Sequence, residues 1–121
     1  MQDFKKLIVW KEAHELTKQI YEISAKFPPE EKFGLTSQIR RSSASIPCNI
    51  AEGTGKDGNR DFAKYLQIAM GSAAETEYLI FLSFELEFNS LEEYQKLNQK
   101  IETVKKLLFG LLQKVRQNPN S

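Results

Sequence analysis

YQKLNQKIETVKKLLFGLLQKV, residues 94–115, places Tyr94, Leu97, Ile101, Val104, Leu108, Leu111 and Val115 at spacings of 3, 4, 3, 4, 3 and 4. A helix turns once in about 3.6 residues, so these seven side chains share one side of it. Leu107 and Leu112 widen the stripe beyond a two-helix seam, as packing in a bundle requires. Ser90 precedes the stripe and Glu93 follows three residues later, which is the pattern of a capping box. Asn118-Pro119 ends it, because the residue before a proline is driven out of the helical region. The stretch therefore predicts a helix over about 90–117 with one apolar face to bury.

The rest of the chain supplies partners for that face. Ala13, Leu16, Ile20, Ile23 and Phe27 repeat the same rhythm over about 8–27, Pro28-Pro29 stops it, and Trp10 stands where it would anchor the helix start. A third segment, about 58–87, begins at Gly58-Asn59 with Asp61 in its first turn and carries Phe62, Leu66, Ala69 and Ala73 on its buried side. Its second half alternates Ile80, Leu82, Phe84, Leu86 and Phe88 as a strand would. Helix is the expectation there, since a lone strand has no partner and Ala, Glu and Leu are good helix formers. Apolar residues on every side of that segment point to burial on more than one side, and so to an oligomer.

The remaining helix, about 34–53, is the least regular. Leu35, Ile39, Ile46 and Ile50 form a stripe through Ser42 or Ser43, with Pro47 inside it. Proline removes one backbone bond and presses on the carbonyl four residues earlier, here Ser43, which predicts a kink near Ser43 and an end at Gly53. Short connections favour antiparallel neighbours. The expected fold is all-α: an antiparallel up-down-up-down four-helix bundle, one domain over residues 1–121.

The net charge of +1 supplies no overall cationic field. The charge is uneven all the same. Lys96, Lys100, Lys105, Lys106, Lys114 and Arg116 face only Glu102 in the last helix, whereas Glu75, Glu77, Glu85, Glu87, Glu92 and Glu93 precede it without a base from Gly71 to Gln95. The two runs either pair, within the bundle or between subunits, or form solvated faces. Cys48 stands alone, so no disulfide can form within the chain. No leader-like apolar core follows Met1-Gln2-Asp3-Phe4-Lys5-Lys6, and no stretch approaches the ~20 apolar residues of a membrane span. A cytoplasmic location is the expectation.

Gly53-Thr54-Gly55-Lys56-Asp57-Gly58 has the glycine spacing of a dinucleotide fingerprint, but a helix rather than a strand precedes it, so it reads as a helix–helix turn. His14 is the only histidine and has no cluster of metal ligands around it in sequence. Ser42, Ser43 and Ser45 lack a base partner and read as a small face, opposite the small run Gly71-Ser72-Ala73-Ala74. Arg40 and Arg41 point about 100° apart on a helix, so one can pair with Glu75 or Glu77 while the other meets phosphate. Asn49 and Glu52, after the proline, read as bundle-locking groups. No catalytic residue, cofactor or metal is expected.

These residues carry a resemblance. Leu7, Val9, Trp10 and Ala13; Phe27-Pro28; Glu31 with Phe33-Gly34-Leu35; Gln38-Ile39-Arg40-Arg41-Ser42; Ser45-Ile46-Pro47 with Asn49-Ile50-Ala51-Glu52-Gly53; and Phe62, Tyr65-Leu66, Ile68-Ala69 and Gly71-Ser72 run in order across most of the chain. The pattern resembles the four-helix-bundle proteins of the intervening sequences of bacterial 23S rRNA genes. That resemblance implies a ring-like homopentamer. The residues themselves place Trp10, Pro47, Asn49, Glu52, Gly71 and Ser72 in bundle or subunit packing. The resemblance also implies kinship with the accessory variability proteins of diversity-generating retroelements, basic pentamers that bind nucleic acid and a reverse transcriptase. At +1 this chain is much less basic than those. The functional expectation is a non-enzymatic homo-oligomer that binds structured RNA or a ribonucleoprotein, or else a nucleic-acid-processing protein, through Arg40, Arg41, Lys100, Lys105, Lys106, Lys114 and Arg116. The rival is a protein-interaction scaffold with no nucleic-acid role.

Overall fold

The computed structural model describes residues 3–121; Met1 and Gln2, which open the segment read for a leader, lie outside it. Four α-helices occupy the described residues: α1 (Ile8–Ser24), α2 (Leu35–Thr54), α3 (Gly58–Glu85) and α4 (Leu91–Arg116), with short 3₁₀ turns at Phe4–Lys6 and Pro29–Glu31. Among the described residues no helix is long and apolar enough to cross a membrane. Each helix packs on the next, and α4 closes back on α1. The pairings run in opposite directions at all four interfaces. Thr17 meets Ser43 and Tyr21 meets Arg40; Ser42 meets Thr76 and Ser45 meets Ser72. Phe84 meets Tyr94 and Glu77 meets Lys105; Glu12 meets Lys100 and Lys26 meets Glu93. The bundle is thus antiparallel throughout.

The buried stripe of α4 is Leu97, Ile101, Val104, Leu108, Leu112 and Val115. Leu112 takes the core position that a strict heptad assigns to Leu111. Five steps cover 18 residues, which is the ~3.6-residue turn of a straight helix rather than the 3.5 of a supercoil. The same drift in α1 buries Ser24 in place of Ile23. The helix ends there, three residues short of the expected Phe27. Lys26 and Phe27 donate to the carbonyls of Ile23 and Ser24, so the last turn tightens, and Phe27 cannot stay helical before Pro28.

α3 ends at Glu85 rather than 87. The Glu87 N–H bonds the Phe84 carbonyl and the Phe88 N–H the Ser83 carbonyl, which is a Schellman closure. It requires a left-handed residue, and Glu87 supplies it at φ 64°. α4 begins with the expected capping box: Ser90 Oγ accepts from the Glu93 N–H at 3.0 Å, and the Glu93 carboxylate accepts from the Ser90 N–H at 2.9 Å. Lys26, two residues beyond α1, donates to the same carboxylate. The Lys26 ammonium, and then the Ser90 N–H, hold the Glu93 carboxyl below the ordinary glutamate range.

α2 runs unbroken through Pro47 to Thr54. The missing proline N–H leaves the fully buried Ser43 without its usual intrahelical donor. Thr17 of α1 answers it, its hydroxyl lying 3.0 Å from the Ser43 carbonyl and 3.1 Å from its own helix's Ala13 carbonyl. On the other side α2 meets α3 through small residues. Thr76 Oγ1 lies 2.9 Å from Ser42 Oγ and 2.8 Å from the Ser72 carbonyl, and the Ser45 and Ser72 hydroxyls are 2.8 Å apart. The helices also approach closely at Gly53, where a Cβ would stand 2.8 Å from the Phe62 ring and 3.0 Å from Tyr65 Cβ. Gly71, by contrast, is exposed and has nothing within 4 Å of a built Cβ, so it takes no part in packing within the subunit.

Two stability measurements follow from these contacts. Thr17→Val should cost about 1–2 kcal/mol in urea unfolding, the price of a buried carbonyl left unpaired. The cost should shrink by at least about 0.5 kcal/mol in a Pro47→Ala background, where the restored N–H can serve Ser43; equal costs in both backgrounds would refute the pairing. Glu87→Gly should raise stability by about 0.5–1 kcal/mol by relieving the left-handed residue, and a loss of stability would show that the Glu87 side chain matters more than its backbone.

Candidate nucleic-acid interface

The turn between α1 and α2 sets up one side of a concavity. Pro28-Pro29 leads into the 3₁₀ turn, and Gly34 precedes α2 with φ −111° and ψ −116°. No N-cap side chain closes α2; instead the Glu31 carboxylate accepts from the Leu35 N–H at 2.9 Å. A Cβ at Gly34 would stand 2.8 Å from that carboxylate oxygen. The segment between, Lys32-Phe33, is thereby held on the outside, and Phe33 is 90% exposed with the Lys32 ammonium 5.4 Å from its ring centroid.

Beside it, the outer side of α2 and the end of α1 line a groove of about 740 Å³. Lys32, Arg40 and Arg41 bring its charge, Tyr21 and Phe33 its aromatic surface, and Thr36, Ser37, Ser45 and Asn49 its hydrogen-bonding groups. No carboxylate lines it. Arg40 is a wall of the groove and not a free cation. Its Nε donates to Ser24 Oγ at 2.8 Å and its Nη2 to the Tyr21 carbonyl at 3.2 Å, with the guanidinium 4.7 Å from the Tyr21 ring centroid. It thus caps the last turn of α1, where a cation suits the helix dipole. The expected pairing of an arginine with Glu75 or Glu77 does not form. Glu77 pairs with Lys105, and Glu75 has only a 3.5 Å contact from Gln38. Arg41 is exposed, and its Nη2 donates to Ser37 Oγ at 3.0 Å.

The seven cations singled out from the sequence do not make one surface. Lys100 is tied to Glu12 of α1 at 3.1 Å and Lys105 to Glu77 of α3 at 2.8 Å. The acidic and basic runs thus meet at the α3–α4 interface through Glu77 and Lys105. Arg116 donates to Gln67 of α3 at 2.8 Å. Lys106 and Lys114 are exposed and form no ion pair among the described residues. α2 and α4 lie diagonally across the bundle, so Arg40 and Arg41 stand apart from the α4 bases.

Of the packing residues, Trp10 is half-buried between Phe4, edge-on at 4.9 Å, and His14, stacked at 4.8 Å. Asn49 Nδ2 donates to the Ser45 carbonyl at 2.8 Å and lies 3.0 Å from Ser45 Oγ. Glu52 is exposed, and its carboxylate makes no hydrogen bond among the described residues; it is not the lock it was expected to be, because it sits on the outer side of α2. Lys32 was not singled out from the sequence as a contact residue, and Phe33 entered only through the family resemblance. Among the local patterns, the signal for the pair was an aromatic between Lys32 and Gly34, outside every helical stripe.

The family model described as 23S rRNA-intervening sequence protein matches residues 5–110. Among solved structures, a protein of unknown function from the S23 ribosomal protein family of Bacteroides thetaiotaomicron is similar at 31% identity. The match covers 88% of this chain and 96% of that one, with a TM-score of 0.81. A search of curated proteins returned no match.

Proposed function

Starting from the 23S rRNA-intervening sequence protein family, to which this chain belongs, we propose that it is a non-enzymatic homo-oligomer that binds structured RNA through the α1–α2 groove. One observation carries the reading: Lys32, Arg40 and Arg41 line a groove beside exposed Phe33 and Tyr21 with no carboxylate among them. Phosphate calls for cations, and an unpaired base calls for an aromatic face; RNA offers both where a loop splays its bases. The hydroxyls and the Asn49 amide add donors and acceptors that can meet a 2′-OH. A cytoplasmic location fits a lone cysteine and an RNA partner. The bases of α4 have a smaller part in this reading, because Lys100 and Lys105 already hold helices together.

Self-association is supported by the outer side of the α3–α4 pair. Tyr78 and Phe81 of α3 and Phe109 of α4 are each about half exposed, at 57%, 46% and 54%. Gly71 and Ala74 continue the α3 part of that surface with small exposed residues. Large apolar side chains gathered on one face mark a contact surface. This face is on the opposite side of the bundle from the groove, so an assembly formed through it would display several grooves and gain avidity.

Fluorescence anisotropy with a labelled RNA hairpin at about 50 and 200 mM salt tests the first part. Affinity should fall steeply with salt. Lys32→Glu with Arg41→Glu should weaken binding at least about tenfold and Phe33→Ala severalfold, whereas Lys105→Glu should leave the affinity of the folded protein unchanged. No binding at low salt would dismiss the RNA reading in favour of a protein-interaction scaffold. Light scattering after chromatography tests the second part: Tyr78→Glu with Phe109→Glu should yield monomers, and an unchanged mass would move the subunit contact elsewhere.

A further inference from the structure

The start of α3 and the end of α4 bring together a second group of cations. Arg60, Lys64 and Arg116 line one cleft of about 460 Å³ with Ala63, Gln67 and Ile68, and no carboxylate lines it. Asp61 touches Lys64 at 3.6 Å, but both side chains are at least half exposed, so that pair screens little. Helix physics works against this set of charges. Arg60 and Lys64 stand four residues apart on one face, where like charges repel. Arg60 is also in the first turn of α3, where the helix dipole disfavours a cation. Arg116 is aimed across from α4 by its bond to Gln67 Oε1 at 2.8 Å, and its other guanidinium donors remain open.

Three cations that repel one another, with only the solvent-screened Asp61 carboxylate beside Lys64, are stabilised together by an anion. We propose that this cleft is a phosphate-binding site separate from the α1–α2 groove. Two guanidinium forks and one ammonium can surround the oxygens of a tetrahedral anion, whereas a planar carboxylate would engage one fork at a time. Ala63 and Ile68 form an apolar flank suited to the carbon side of a phosphate ester. The groove begins at the start of α2 and the cleft at the start of α3, which are opposite ends of an antiparallel pair. The phosphate comes from a nucleic-acid backbone or from a small phosphorylated molecule, and the same chemistry receives either.

Two measurements on the full chain test this. Titration of ¹⁵N-labelled protein with inorganic phosphate should shift the amides of residues 60–68 and 116 saturably, and Arg60→Gln/Lys64→Gln/Arg116→Gln should abolish the shifts without changing the circular dichroism. The same variant should lower the slope of log affinity for RNA against log salt by about two to three if the source is a nucleic-acid backbone. Loss of the phosphate shifts with an unchanged slope assigns a small phosphorylated molecule. The absence of both the shifts in the wild type and the slope change in the variant overturns the proposal. Lys32→Glu/Arg41→Glu should leave the phosphate shifts in place, so a failure of the groove is distinguishable from a failure of the cleft.

Discussion

The rotation of α2 about its own axis is the constraint on which the rest of the molecule depends. Hydroxyl groups hold that helix from both sides. Thr17 of α1 reaches the Ser43 carbonyl that Pro47 leaves unserved, and Thr76 and Ser72 of α3 meet Ser42 and Ser45. An apolar stripe alone sets rotation loosely, because greasy contacts are non-directional. Hydrogen bonds in a dry interface set it tightly, because a partner turned away leaves a buried polar group unpaired. With α2 fixed in this way, Arg40 turns towards the end of α1, and Arg41, Ser37 and Ser45 line the outside. A register one residue away would turn each side chain by about 100° and dismantle the groove.

Charge in this protein is spent first on assembly of the bundle. Lys26, Lys100 and Lys105 each pair with a glutamate, and α4 is thereby tied to α1, to the turn that follows α1, and to α3. A net charge of +1 conceals what remains after those pairings. Beyond those pairings, two groups of cations stand where no carboxylate lines the surface: Lys32, Arg40 and Arg41 in the α1–α2 groove, and Arg60, Lys64 and Arg116 in the α3–α4 cleft. Anion recognition depends on such local excess, since fields from paired charges largely cancel and those from distant ones are screened by salt.

Much of the architecture was legible in the chain, for reasons that are local. The 3–4 spacing of Leu97, Ile101, Val104 and Leu108, the Ser90–Glu93 box and the Pro28-Pro29 stop act over one or two turns, where sequence distance and spatial distance nearly coincide. The errors were also local in origin. A heptad fitted to α4 named Leu111 where the straight helix buries Leu112, and Glu87 gave no sign that it would take the left-handed place usually left to glycine.

The sequence by itself determined that there would be four helices, where each would start and stop to within a few residues, and which broad face of each would be buried. Only the tertiary structure decided which charges survive for binding. Lys105 and Arg116 both read as exposed bases on α4, yet one is bound to Glu77, twenty-eight residues away, and the other faces Arg60 and Lys64 across a cleft. The physical reason is range: helix periodicity is written in neighbours three and four apart, whereas the partner of a charge depends on which helix lies against it and how that helix is turned.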